Sequence, residues 1–253
     1  MSLFTQPYHD AVAQLTGPGA PFEVINCSIE GLSLKAFSQA HSSLSDYLNG
    51  GRQHGDKLLL QYQESTWSFK EFYTAADRLS HWLVTEGNIT AGTPVAIAMR
   101  NRPEWLIAFV AIINVGGIAV PLNSWGKSAE LEQGLEDSHA ELLICDAPRW
   151  KYVQESKRIA PALVVDSDSS ESQQPDFHDV IRANWSGSIT PPAIDAQSPA
   201  ILLFTSGTSG RPKGVMLSHF NCCQALMNLE FIGAVTYMTN QDAMSTQLAS
   251  TTP

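Results

Sequence analysis

Residues 94–123 read PVAIAMRNRPEWLIAFVAIINVGGIAVPLN, and the order of residue types along this stretch points to the fold class. Pro94 to Met99 is a short continuous apolar run, the pattern of a strand buried on both faces. Pro103 stands at a favourable first helical position, its fixed φ suiting the helix and its missing N–H costing nothing there. Apolar residues continue to about Val115, where Gly116-Gly117 stops the helix, and Ile118 to Leu122 forms a second buried strand. From Trp105 to Leu122 eighteen positions carry no charge, close to the ~20 apolar residues of a membrane-spanning helix. Asn114, the glycine pair and Pro121 divide that run into helix, turn and strand, so no transmembrane segment is expected.

The same alternation continues on both sides. Downstream, residues 128–138 read as a helix with Leu131 and Leu135 inward, Glu141 to Cys145 as a strand, 148–159 as a helix and Ala162 to Asp166 as a strand. Upstream, residues 58–63 (LLLQYQ) read as a strand. Ser68-Phe69-Lys70-Glu71 then matches the capping box, in which Ser and Glu satisfy each other's backbone donors at a helix start. Phe72, Ala76, Leu79 and Leu83 share one face of that helix, and Gly87 is placed to end it in a left-handed conformation. Strands alternating with helices imply an α/β fold, a mostly parallel sheet with helices on both faces and right-handed crossovers. The expected organisation is an extended, partly helical lead-in over 1–55, a first α/β subdomain over 56–166, a linker over 167–198 and a loop-bearing segment over 199–253. The linker reading rests on the polar, acidic stretch from Ser167 to Pro175.

Composition narrows the function classes. With 15 Lys and Arg against 25 Asp and Glu the formal charge is −10, which repels a polyanion and argues against nucleic acid as a partner class. Local phosphate binding is unaffected, since it uses backbone N–H groups and one or two cations. Cys27, Cys145, Cys222 and Cys223 form no C-x-x-C pair and have no His at ligand spacing, so no metal site is indicated. So few cysteines suggest reduced thiols, and the start MSLFTQPYHD lacks a signal peptide. A cytoplasmic location is expected.

The chemistry is concentrated after the apolar strand Ala200 to Phe204. Thr205-Ser206-Gly207-Thr208-Ser209-Gly210-Arg211-Pro212-Lys213-Gly214 places four hydroxyls, three glycines and two cations in ten positions. The glycines let backbone N–H groups turn inward, the hydroxyls can donate to phosphate oxygens, and Lys213 adds a point charge. The competing reading is a flexible Ser/Gly hairpin loop, against which stand the apolar strands on both sides, the second being Val215 to Leu217. The loop is not a Walker A sequence, because Pro212 precedes Lys213 and Gly214 follows it.

FTSGTSGRPKG resembles the phosphate-binding signature of the adenylate-forming superfamily, with Ser209 where many relatives have Thr. WSFKEFYTAADRLSHWL and the stretch from 94 resemble the same superfamily's first subdomain, so the likeness covers roughly residues 55–253. VMLSHFN resembles the V-x-[LT]-[ST]-H-x-N stretch of acyl-CoA synthetases. The resemblance implies two steps: a carboxylate attacks the α-phosphate of ATP to give an acyl-adenylate and pyrophosphate, then a thiol such as CoA displaces AMP. It implies Mg2+ on the phosphates and a carboxylate substrate such as a fatty acid. It places the β- and γ-phosphates on Thr205, Ser206, Gly207, Thr208, Ser209, Gly210 and Lys213, with Lys213 as the catalytic cation and Arg211 toward solvent. The closing residues STTP resemble the opening of a T-P-L-F-H stretch, and no acyl pocket, magnesium-binding acid or C-terminal lysine can be assigned. An N-terminal part of a larger enzyme, inactive when isolated, is therefore expected. An adenylating enzyme that loads a carrier protein and a non-catalytic nucleotide-binding module remain open alternatives. His219 is expected to pack near the start of the next helix, Asn123 and Ser124 to make a turn, and Trp67, Trp82 and Trp105 to be core or anchoring groups.

Overall fold

A computed structural model describes residues 6–29, 31–156, 161–167, 174–185, 192–205 and 212–250, with side chains as far as residue 240. In chain order the elements are α1 (Gln6–Thr16), β1 (Val24–Ile29), β2 (Leu32–Phe37), α2 (Leu44–Asn49), a 3-10 turn (Gly50–His54), β3 (Leu58–Tyr62), β4 (Ser65–Ser68) and α3 (Phe69–Thr85). They continue with β5 (Pro94–Ala98), α4 (Pro103–Asn114), β6 (Ile118–Pro121), α5 (Ser128–Ser138), β7 (Leu142–Asp146), α6 (Ala147–Val153) and β8 (Ala162–Val165). The last four are α7 (Phe177–Arg182), β9 (Pro199–Thr205), β10 (Lys213–Ser218) and α8 (His219–Ser250). Two compact units result, Ser42–Phe220 and Met1–His41 with Asn221–Pro253.

The larger unit is built on a six-stranded sheet ordered β10-β9-β6-β5-β7-β8. All its pairings are parallel except that of the edge strand β10 with β9. Because strand side chains alternate between faces, Ala96, Val120, Leu143, Cys145, Val164 and Leu202 meet Leu131 and Leu135 of α5 and Val153 of α6 in one core layer. Their neighbours Val95, Ile97, Ala119, Ile144 and Leu163 fall on the opposite face and are also fully buried. Helices therefore cover both faces, as the unbroken apolar strands implied.

On the second face α3 packs against α4. The capping box at its start is complete: the Glu71 N–H donates to Ser68 Oγ at 3.2 Å, and the Ser68 N–H donates to Glu71 Oε2 at 2.8 Å. Phe72, Ala76, Leu79 and Leu83 are all buried, each large one worth about 1.5–3 kcal/mol of transfer free energy. The helix ends differently from the sequence expectation, since the left-handed residue is Asn88, φ 54°, and not Gly87. Gly87 is needed for closeness instead, because a Cβ there would lie 2.8 Å from the Leu83 carbonyl oxygen.

Two further expectations are revised. Residues 58–62 do form a strand, but β3 pairs only with β4 in a two-stranded antiparallel hairpin outside the main sheet, so local alternation did not say which partner it takes. The helix expected over 148–159 is shorter, Ala147–Val153. The compact units divide at 41/42 and 220/221. β9 pairs with β6 and α7 packs on α3, so parts of the stretches read as linker and loop-bearing segment lie in the same unit as residues 56–166.

The smaller unit contains a feature the lead-in reading did not anticipate, the antiparallel hairpin β1–β2. Gln224 of α8 is anchored to its end, with Oε1 accepting the Phe37 N–H at 2.8 Å and Nε2 donating to the Phe37 carbonyl at 3.2 Å. Phe22, Phe37 and Phe231 cluster beside this anchor.

Candidate functional site

β9 and β10 hold the two ends of the hydroxyl- and glycine-rich loop. Thr205 pairs directly with Lys213 in the ladder, and Thr205 Oγ1 donates to the Lys213 carbonyl at 3.4 Å. The pair thus closes the base of the loop. Ser206, Gly207, Thr208, Ser209, Gly210 and Arg211 lie outside the described residues. Lys213 is exposed and, among the described residues, makes no ion pair.

Thr205, Phe204 and Pro212 form one wall of a cleft of about 710 Å³ whose other wall is Leu122, Asn123 and Glu130. It opens at the carboxyl ends of β6 and β9, where open α/β sheets take their ligands. β5 hands over to α4 on one face while β6 hands over to α5 on the other, so the chain also reverses its winding beside this cleft.

The wall opposite Thr205 is built from a turn, as expected for Asn123 and Ser124. Asn123 Oδ1 accepts the Trp125 N–H at 3.0 Å, the Gly126 N–H donates to the Asn123 carbonyl at 2.9 Å, and Asn123 Nδ2 donates to Glu130 Oε1 at 2.8 Å. Beneath it lies a buried ion pair that sequence reading missed. Arg149 Nη1 contacts Asp146 Oδ2 at 3.0 Å, while Arg149 Nε and Nη2 donate to the Ser124 carbonyl at 2.9 and 2.6 Å. Asp146 also caps α6 and accepts the Arg100 N–H at 3.3 Å. Arg100 in turn lies over the Trp125 ring, 3.0 Å from its centroid. The legible signal was Asp146-Ala147-Pro148-Arg149, a cap residue followed by a helix-starting proline. Burial, with Asp146 adjacent, pushes the Cys145 thiol up, so this cysteine is an inert core group.

A second charged cluster sits at the end of β8. Arg102 Nε meets Glu104 Oε2 at 2.7 Å and Arg102 Nη2 meets Asp166 Oδ2 at 2.9 Å, with His178 Nε2 3.2 Å from Asp166 Oδ1. Burial raises the Asp166 carboxyl, but hydrogen bonds and charge from Arg102 and His178 outweigh it and leave it below its ordinary value.

His219 follows β10 directly and is 1% exposed. Its Nδ1 accepts the Leu44 N–H at 3.1 Å, which ties α2 to the strand leaving the loop and bears out the packing reading. Burial lowers its pKa, with Asp46 opposing. The unfolded chain therefore takes up a proton near pH ~6.5, before the folded one does. Stability is full above that pH and is lost as pH falls toward the folded value. Denaturant midpoints measured from pH 7.5 to 5 are expected to decline, and the decline should flatten in His219→Gln. An equal slope in the variant would remove His219 as its cause.

The arrangement is that of an α/β protein in which β9 and β10 carry the ends of a Ser- and Gly-rich stretch at the carboxyl edge of the sheet. The model of AMP-binding enzymes matches residues 49–251, and the chain belongs to that adenylate-forming family. Tyrocidine synthase 3 of Brevibacillus parabrevis is 31% identical over 173 residues, 67% of this chain and 2% of that protein. The very long-chain fatty acid transport protein of Saccharomyces cerevisiae is 26% identical over 214 residues, 78% of this chain and 32% of that protein. Among solved structures, the anthranilate CoA ligase AuaEII in complex with anthranoyl-AMP superposes with a TM-score of 0.62 at 23% identity, over 71% of this chain and 35% of that one. The chain thus spans about a third or less of each of these three.

Proposed function

We propose that this chain supplies the triphosphate grip of an ATP-dependent carboxylic acid:CoA ligase. The observation that carries the reading is the Thr205–Lys213 pair closing a Ser/Gly loop at the carboxyl edge of the sheet. Backbone N–H groups of Gly207 and Gly210 and the hydroxyls of Thr205, Ser206, Thr208 and Ser209 would cradle the β- and γ-phosphates. The Lys213 amine would neutralise charge on the departing pyrophosphate. Holding the triphosphate in this way orients the α-phosphate for in-line attack by the carboxylate. The sulfur of CoA would then attack the acyl carbon, forming the C–S bond as the bond to the AMP phosphate breaks and AMP leaves, and a fatty acid is the acyl class we favour. Among the described residues no group of three or more acidic, His or Cys side chains could hold a metal. Mg2+ on the phosphates is part of the proposal. A cytoplasmic setting is part of the proposal, and no described helix is long and apolar enough to cross a membrane.

Support for CoA as acceptor comes from the SHFN continuation and from the likeness to a CoA ligase. Carrier-protein loading is the second reading, favoured by the 31% identity to tyrocidine synthase 3. Thioester formation with CoA against a phosphopantetheinyl carrier, assayed in the complete enzyme, separates them. For the grip itself, Mg-ATP binding by this chain is expected to weaken roughly 10- to 100-fold in Lys213→Ala, the ~1.5–3 kcal/mol of one charge-assisted contact. An unchanged dissociation constant would sink the assignment.

A further inference from the structure

The segments leaving β5, β6 and β7 meet at one buried ion pair. Arg149 is 7% exposed and Asp146 4%, so both charges are removed from water and each needs every bond it makes. Arg149 spends Nη1 on Asp146 and both Nε and Nη2 on a single backbone carbonyl, that of Ser124. A side chain that neutralised Asp146 alone would not require the second contact. The carbonyl belongs to the turn that walls the cleft opposite Thr205 and Pro212. From the other side Arg100 presses on Trp125 of the same turn, while its N–H donates to Asp146. The turn after β6 is thus held by two arginines that share one carboxylate, itself placed by β7 and by its capping of α6. Trp125 nonetheless remains 78% exposed, so the turn's position comes from these polar ties and not from burial of its indole.

We propose that Arg149 is a positioning residue that sets the Asn123–Gly126 turn, and with it the width of the cleft whose opposite wall is Phe204, Thr205 and Pro212, so that it governs nucleoside triphosphate affinity without touching the nucleotide. The inference rests on the function proposed above for that cleft. A planar guanidinium reaches the carboxylate and the carbonyl at once, whereas an ammonium is a single point and cannot reproduce the fork.

The test uses the full chain and three variants. Arg149→Lys keeps the charge and loses the fork. Arg149→Met combined with Asp146→Asn removes both charges while leaving an Asn to cap α6, so that no unpaired charge is left to unfold the protein. Trp125→Phe, made in each background, isolates the Trp125 contribution to tryptophan fluorescence. Acrylamide quenching of Trp125 is expected to rise in Arg149→Lys and in the double variant. Mg-ATP affinity, read by calorimetry, should fall on the order of tenfold as the wall is displaced, while cooperative unfolding persists. Quenching and affinity equal to those of the unsubstituted chain would overturn the inference. If the unsubstituted chain binds no Mg-ATP, the proposed function fails on its own account. Quenching then decides the positioning role: a rise supports it and no change refutes it.

Discussion

Asp146→Ala is expected to destabilise the larger unit by about 3–5 kcal/mol, the cost of leaving a buried guanidinium without its counter-charge. Losing the α6 cap adds about 1 kcal/mol to that. The loss is large because Arg149 cannot escape to water: it is 7% exposed and two of its nitrogens are committed to the Ser124 carbonyl. Combining Arg149→Met with Asp146→Asn should recover most of the loss, since burying an ion pair is close to neutral against apolar replacement once both charges are gone. Urea denaturation of the single and double variants measures this directly. Additive single losses in the double variant would mean that the residues act independently and that the pair is not the unit of stability. The buried pair ties the Ser124 carbonyl to the end of β7, so its cost is offset in part by a held turn.

That pair marks the boundary of what the sequence disclosed. The parallel sheet was legible because strands buried on both faces must be apolar throughout, and residues 94–98, 118–121, 142–146 and 162–165 have no other way to be satisfied. The capping box of α3 was legible because it is local, four residues solving one backbone problem. The strands on either side of the Gly- and hydroxyl-rich stretch were legible as apolar runs, Ala200 to Phe204 and Val215 to Leu217. Strand partners were not, since nothing in LLLQY says that β3 takes β4, and ladder choice depends on residues far away in the chain. Long-range polar ties were equally hidden. Arg149 and the Ser124 carbonyl are 25 positions apart, and one of the two partners is backbone, which carries no residue-type signal at all. A polar stretch reads as a linker whether or not a later strand returns to the sheet, as β9 does beside β6.

Gly116→Val should cost about 3 kcal/mol, and the argument separates two contributions that a substitution there combines. Gly116 has φ +73°, a conformation that costs an L-residue roughly 1–2 kcal/mol. A Cβ would also lie 2.9 Å from Pro192 Cγ and 3.2 Å from Ala91 Cβ, overpacking worth about 1–3 kcal/mol more. The position cannot relax cheaply, because its carbonyl accepts the Gly92 N–H at 2.8 Å and the next residues are held by Gly117 N–H to the Ile112 carbonyl and Ile118 N–H to the Thr93 carbonyl, both 2.9 Å. Gly116→Ala should show the smaller part of the penalty, since its single methyl has no branch to clash further. Gly233, in the middle of α8, provides the opposite sign: nothing lies within 4 Å of a Cβ built there, so Gly233→Ala should stabilise the helix by ~0.5–1 kcal/mol. Denaturant titrations of the three variants give the check, and a neutral Gly116→Val would show that the turn between α4 and β6 adjusts. The turn matters to the cleft because α4 ends and β6 begins there, and β6 delivers Leu122 and Asn123 to the wall opposite Thr205. A shift in the strand's start is carried to its end through a ladder of parallel bonds with β5, so Gly116→Ala, if it folds, should also weaken Mg-ATP binding more than its stability loss alone predicts.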